Sequence, residues 1–256
     1  MDTLPEPPRA PTPDAPASAR RPRLRGAALS LRRLLAPRCS LCATGVGTPL
    51  CDGCTADFFA SDVHRCRGCA LRLGPAAGDL CGRCLREPPA FDATFALADY
   101  AAPVDGVIIA LKFGHRLDVA RALGELLGRM IGARADDNAV LTAVPLAFER
   151  QRERGFNQAL EIARVAAATC RRPLLAHALL RTRHRPAQEG LTLDERRRNV
   201  RGAFVVERAL EPRFAGRTAV VIDDVMTSGS TLDEVARVLR RAGALRIVNA
   251  IVARTP

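Results

Sequence analysis

Eight of the nine cysteines stand in four CxxC pairs: Cys39/Cys42, Cys51/Cys54, Cys66/Cys69 and Cys81/Cys84. One CxxC presents two thiolates at a single tight turn, and two such knuckles supply the four tetrahedral ligands that Zn²⁺ prefers. Gly53, Gly68 and Gly82 fall inside the pairs, where a knuckle turn can use positive φ. A thioredoxin-like dithiol would need one pair in a βαβ context, so four pairs point to metal. The expectation is two structural zinc sites. A sequential division puts Cys39, Cys42, Cys51 and Cys54 on one ion and Cys66, Cys69, Cys81 and Cys84 on the other; an interleaved cross-brace also fits the spacing. A segment this short and poor in apolar residues has no core of its own, so metal binding would supply much of its folding free energy. His64 reads as a surface residue beside a full ligand set, and Cys170 as a small buried hydrophobe.

The second chemical stretch is VVIDDVMTSGST, Val220 to Thr231. A buried strand ends on Asp223 and Asp224, and Thr227, Ser228, Gly229, Ser230 and Thr231 then open a helix. Free N–H groups at a helix N-terminus, with hydroxyls beside them, make a phosphate cradle, and Gly229 lets the backbone come close. Two acids beside such a cradle conflict unless the ligand carries hydroxyls as well as phosphate. A ribose 5-phosphate does: the loop takes the phosphate, and the aspartates accept from the 2- and 3-hydroxyls. A strand closed by an Asp N-cap and a polar turn would explain one aspartate, not the ordered whole.

These groups need a scaffold, and the chain after Ala90 alternates strands with helices. Strands are expected at Phe91–Tyr100, Ala139–Pro145, Leu174–Leu180, Thr218–Ile222 and Leu245–Ala253. Helices are expected at Val104–Phe113, Ala120–Ile131, Gln158–Cys170 and Thr231–Ala242, with a polar, arginine-rich turn after Pro145. Such alternation predicts an α/β fold, a mostly parallel sheet with helices on both faces, whose ligands bind at the carboxyl ends of the strands. Residues 1–27 read as a disordered Pro/Ala/Arg-rich tail, 28–88 as a short helix (Ala27–Leu35) and the cysteine module, and 89–256 as the α/β domain.

The chain of 256 residues carries a formal charge of +12, and Lys112 is its single lysine. That balance suits either a solvated arginine-rich surface or a phosphate-rich partner. No apolar run reaches the ~20 residues that span a bilayer, and Met1 to Ala19 has no apolar signal segment. The expectation is a cytoplasmic protein whose thiols stay reduced.

The run VIDDVMTSGST resembles the phosphoribosyl-pyrophosphate (PRPP) motif of type I phosphoribosyltransferases. Together with LKF at 111–113, AVPLAFERQRERGFNQAL at 143–160, QEGLTLDERRRNVRGAF at 188–204 and the CxxC array, it resembles the ComF family, over about residues 30–256. The resemblance implies a double zinc ribbon fused to a type I phosphoribosyltransferase domain related to amidophosphoribosyltransferases, with a link to DNA uptake or utilisation. It implies PRPP and Mg²⁺ as ligands, and transfer of a phosphoribosyl group to an acceptor that the resemblance leaves open. Asp223, Asp224, Arg154 and Lys112 are the catalytic candidates. Arg150 and Arg154, four apart, would share a helical face toward the pyrophosphate, with Arg152 in the same loop and Lys112 reaching the same group. The polar segment 184–202 fits a lid, with Gln188, Arg196 and Asn199 as its contacts. A non-catalytic PRPP sensor, or an adaptor whose zinc ribbons meet DNA or a DNA-processing protein, stands beside the enzyme reading. His115, His177 and His184 have no apparent chemical partner.

Overall fold

The computed structural model describes residues 38–44, 47–59, 63–182 and 200–256. The expected tail, the Ala27–Leu35 helix and the lid candidates Gln188, Arg196 and Asn199 lie outside the described residues. The described residues form one compact unit. Its elements in order are α1 (Asp52–Phe58), α2 (Gly82–Arg86), β1 (Ala93–Asp99), α3 (Val104–Phe113), α4 (Leu117–Arg134), β2 (Val140–Ala143), α5 (Phe148–Arg154) and α6 (Gln158–Cys170). They continue with β3 (Leu179–Arg181), β4 (Phe204–Val206), a 3₁₀ turn (Arg208–Arg213), β5 (Thr218–Met226), α7 (Ser230–Arg241) and β6 (Arg246–Arg254). No described helix is long and apolar enough to cross a membrane.

Four strands form a parallel sheet in the order β1-β6-β5-β2, and β3 pairs antiparallel with β4 beside it. Strand alternation divides the core between two faces. Val220, Ile222, Val248, Ala250 and Val252 point into one, with Leu123, Leu127, Ile131, Ile162 and Ala166 of α4 and α6. Ala219, Val221, Ile247 and Ile251 point into the other, with Leu232, Val235 and Leu239 of α7. Both faces are covered, so the central strands read as continuous Val/Ile/Ala runs. Helices α4 and α6 meet through Gly124 and Gly128. A Cβ on Gly128 would lie 2.5 Å from Thr169 Cβ and 2.8 Å from the Ala166 carbonyl.

The cysteine module straddles the β1 edge. Leu50 and Phe59 pack into the α4 core, whereas Cys66, Cys69, Cys81 and Cys84 are buried in the α7 core. Thr94 of β1 donates to the Arg67 carbonyl at 2.9 Å, capping the sheet edge.

Four expectations need correction. Strand β5 does not stop at Ile222. It runs to Met226 because β6 keeps pairing beside it, Asp223 opposite Ile251 and Val225 opposite Ala253. The expected strand 174–180 splits: Leu174 makes one parallel bridge to Leu141, and the strand proper is β3, set apart by its β4 partner. The arginine-rich turn after Pro145 is a helix, α5, closed by Gly155 at φ 73°. Positive φ in the cysteine knuckles falls on Ala43 and Ala70, the residues following Cys42 and Cys69, not on Gly53, Gly68 or Gly82. Gly68 is small for another reason: a Cβ there would sit 3.0 Å from Cys84 Sγ.

Candidate functional site

The cysteines gather sequentially. Within Cys39/Cys42/Cys51/Cys54, and again within Cys66/Cys69/Cys81/Cys84, all four Sγ atoms lie within 4.8 Å of one another. Cys42 and Cys51 sulfurs are 3.7 Å apart, as are those of Cys69 and Cys81. A tetrahedral site with Zn–S bonds of about 2.3 Å needs neighbouring sulfurs about 3.8 Å apart. Both groups therefore fit zinc, and the grouping is the sequential one. The two knuckles are built alike: the Cys51 N–H donates to Cys39 Sγ at 3.4 Å, and the Cys81 N–H to Cys66 Sγ at 3.2 Å. Burial and the crowding of neighbouring thiols push Cys54 and Cys84 upward. Burial would raise Cys81 too, but the Cys84 backbone N–H and the adjoining thiols hold it at about 7. Four thiols packed this closely cannot all ionise without a cation among them. His64 is exposed, its Nδ1 3.2 Å from the Gly74 carbonyl, and joins neither group.

At the carboxyl end of β5 the Asp223 carboxylate accepts from the Asp224 N–H at 2.9 Å, and Asp224 Oδ1 accepts from the Val225 N–H at 2.6 Å. Lys112, at the end of α3, places Nζ 2.9 Å from Asp224 Oδ2. One cation thus faces two adjacent carboxyls. Burial first, and the Asp224 charge second, push Asp223 up to about 8, with the Asp224 N–H and Lys112 holding it back. The residue as a whole is only half-buried, so part of it still faces the crevice.

The loop after β5 turns through Gly229 at φ 80°, the N-cap of α7. That φ favours glycine, and a Cβ there would also push on the Met226 methyl, 2.5 Å away. Ser228 and Ser230 hydroxyls lie 2.9 Å apart. Among the described residues, no protein acceptor faces the backbone N–H of Thr227, Ser228, Gly229 or Thr231. These are the unpaired donors that a helix N-terminus offers an anion.

Arg150 and Arg154 both lie on α5, but they point differently. Arg150 is exposed; Arg154 turns inward, 5.1 Å over the Phe113 ring, and donates to Gln158 Oε1 at 3.2 Å. Burial lowers the Arg154 guanidinium and Arg150 adds to that, while Asp224 and Glu153 oppose it. Arg154 Nε and Gln158 Nε2 are buried without partners. Arg152 is exposed, 5.8 Å over the Phe148 ring. Asn157 ties this corner to β2, donating to the Val144 carbonyl at 3.0 Å and accepting from the Leu160 N–H at 3.3 Å. Lys112, Arg154 and the aspartates therefore converge, while Arg150 stands on the rim. His115 stacks near Phe156 at 5.7 Å, His177 is exposed, and His184 lies outside the described residues.

Three arginines of this region escaped the sequence reading. Arg181, on β3, is lowered by burial and by Arg150, and nothing local marks it. Arg83 lies inside a CxxC, which masked it as a spacer; its guanidinium donates to the Ser228 carbonyl at 3.0 Å. Arg254, at the end of β6, is 6% exposed and donates to the Cys69 carbonyl at 2.9 Å and the Met226 carbonyl at 3.2 Å. A charge closing a long apolar strand is the signal that could have found it.

The phosphoribosyl transferase domain family matches residues 140–256. The DNA utilization protein YhgH of Escherichia coli (strain K12) is 36% identical over 174 residues, 65% of this chain and 74% of that protein. Competence protein F of Haemophilus influenzae is 30% identical over 203 residues, 77% of this chain and 87% of that protein. Among solved structures, the glutamine PRPP amidotransferase of B. subtilis aligns at 22% identity and a TM-score of 0.38, over 56% of this chain and 30% of that one. With two Cys₄ groups set before a parallel phosphoribosyltransferase sheet, and relatives matched over most of their length, the chain belongs to the ComF family of competence and DNA-utilisation proteins.

Proposed function

We propose that the protein binds PRPP and transfers its phosphoribosyl group, with Mg²⁺, to an amine or base acceptor. The observation that carries this is the pairing at one strand end of two carboxyls with a loop whose N–H groups at Thr227, Ser228, Gly229 and Thr231 have no protein acceptor among the described residues. In this reading the loop holds the 5-phosphate, and Asp223 and Asp224 accept from the ribose hydroxyls. The hydroxyls of Thr227, Ser228, Ser230 and Thr231 add donors around the same phosphate. Arg154 and Lys112 are the cations nearest the leaving pyrophosphate, with Arg150 at the rim and Gln188, Arg196 and Asn199 as contacts of a lid. The proton that burial keeps on Asp223 would be displaced by a hard divalent cation bound beside Asp224. Mg²⁺ bound with the pyrophosphate would supply the neutralisation of charge as that group leaves. The residues themselves orient the ribose and hold its phosphate fixed. The two Cys₄ groups would each hold one structural zinc.

The adaptor reading stands second, favoured by relatives that are named for DNA utilisation and competence rather than for a reaction. In it the same loop senses PRPP and the ribbons meet DNA or a DNA-processing protein. Calorimetry with PRPP, ribose 5-phosphate and inorganic phosphate, Mg²⁺ present, tests the site. Gly229→Val should abolish binding of all three by crowding the cradle, and Asp224→Asn should weaken PRPP while sparing phosphate. Parent protein that binds none of the three would overturn the reading. Pyrophosphate release across a panel of bases, amines and nucleosides separates enzyme from sensor.

A further inference from the structure

We infer that the second Cys₄ group, and not the first, sets the shape of the phosphate loop, acting through Arg83 and Arg254. The inference rests on the reading of Thr227–Thr231 as a phosphate-binding loop, and it adds what controls that loop.

The contacts run in two short chains. Arg83 stands between Cys81 and Cys84 and donates from Nη1 to the Ser228 carbonyl at 3.0 Å. Arg254 bridges from the other side: Nε donates to the carbonyl of Cys69, itself a candidate ligand, at 2.9 Å, and Nη1 to the Met226 carbonyl at 3.2 Å. Thr255 adds its N–H to that same Met226 oxygen at 3.1 Å. A peptide unit is planar and trans, so its N–H points opposite its C=O. Drawing the Ser228 carbonyl toward Arg83 therefore turns the Gly229 N–H away from the cluster. Holding the Met226 carbonyl on Arg254 does the same for the Thr227 N–H. These are two of the loop donors that have no protein acceptor among the described residues. The cluster thus fixes the direction of the groups that meet the anion without touching the anion.

Among the described residues, no described hydrogen bond gives the first Cys₄ group a comparable route. Its residues pack Leu41, Leu50 and Phe59 on the α4 core, and Ser40 accepts from Arg116 at 3.3 Å. No described hydrogen bond joins residues 38–59 to residues 220–231. Arg83 and Arg254 are positioning residues, and the two metal sites have unequal consequences.

The test is amide ¹⁵N NMR on the full zinc-loaded chain, read as chemical shift and relaxation at Thr227–Thr231, with hydrogen exchange in β5 and β6 as a control for global stability. Arg83→Leu should shift and broaden the loop amide resonances and weaken ribose 5-phosphate about ten-fold, the weight of one charge-assisted hydrogen bond. Exchange in β5 and β6 should stay as in the parent, and Arg83→Lys, which keeps a donor, should recover part of the effect. Arg86→Leu, on the same short helix but exposed, should change neither readout. Cys84→Ser should loosen the loop as Arg83→Leu does, whereas Cys54→Ser should leave it as in the parent. If Cys84→Ser does not fold, stepwise metal release by a chelator gives the same comparison. Arg83→Leu with parent-like loop resonances overturns the inference, as does equal loosening by Cys54→Ser. Should the parent fail to bind ribose 5-phosphate, the phosphate reading falls, and the loop resonances still decide whether cluster and loop are coupled.

Discussion

Replacing Asp223 by Asn should make the ligand-free protein more resistant to unfolding at neutral and alkaline pH, and yet a poorer binder of PRPP. The reason is the burial of the Asp223 carboxyl at the end of β5 beside Asp224, whose charge is paired with Lys112. Asp223 is pushed up to about 8 by burial and by Asp224, whereas in the unfolded chain it ionises near 3.9, roughly the ordinary value. Between those values the folded state keeps a proton that the unfolded state releases. Stability from this group is therefore full below about pH 4 and drains away as the pH climbs toward 8. The ceiling is about 1.4 kcal/mol per pH unit for one proton, and the partial exposure of Asp223 to the crevice brings the slope below it. Asn keeps an oxygen for the Asp224 N–H, now 2.9 Å from Asp223, and does not ionise. Urea unfolding followed across this window should show the parent midpoint falling with pH and the variant nearly flat, the two diverging toward the alkaline end. By calorimetry above about pH 8, where the Asp223 carboxyl is ionised, the same variant should lose about 1.5–3 kcal/mol of PRPP affinity, roughly ten- to a hundred-fold. Parallel pH slopes in parent and variant would refute the buried proton. Unchanged PRPP affinity would refute the ribose contact.

Metal analysis of protein purified under reducing conditions should find two zinc ions per chain; one ion with four free thiols would rule out the double site. Lys112 is the only lysine, so an amine-acetylating reagent should modify one side chain, and PRPP with Mg²⁺ should slow that reaction several-fold if the ligand covers the Lys112–Asp224 pair. Equal rates with and without ligand would place PRPP elsewhere. Gly128→Ala should cost about 1–3 kcal/mol in denaturant unfolding, because the new methyl meets Thr169 and a backbone carbonyl on a helix that cannot retreat. A variant as stable as the parent would show that α4 and α6 separate easily.

The periodic features were the legible ones. The α/β alternation, the four CxxC pairs and the DDxxTSGST run are local patterns, and each maps to an element or a cluster. Boundaries that depend on a neighbour were not legible: β5 outruns its apolar run because β6 continues to pair with it past the aspartates. The helix α5 was hidden by polarity, having no buried residue to give it a periodic face. The docking of the second Cys₄ group on the α7 core was likewise invisible, since its partners Arg254 and Met226 lie more than a hundred residues downstream. Placement of Arg154 inside and Arg150 outside depended on Phe113, which no spacing rule connects to them.

The order β1-β6-β5-β2 has a consequence for how the chain assembles during synthesis. Strand β6, made after β5, fills the gap between β1 and β5, so among the described strands β1 has no sheet partner until β6 appears. Its pairing, Ala93 with Val248, closes a loop spanning most of the chain, the kind of distant contact that makes folding slow. The first Cys₄ group rests on α4 and can mature early. The second is tied early to β1, where Thr94 meets the Arg67 carbonyl, but its link to the loop must wait for Arg254. That interval is when an oxidant or a competing thiophilic metal would do the most damage, and chaperoned or zinc-replete synthesis should raise the yield of the second site more than the first.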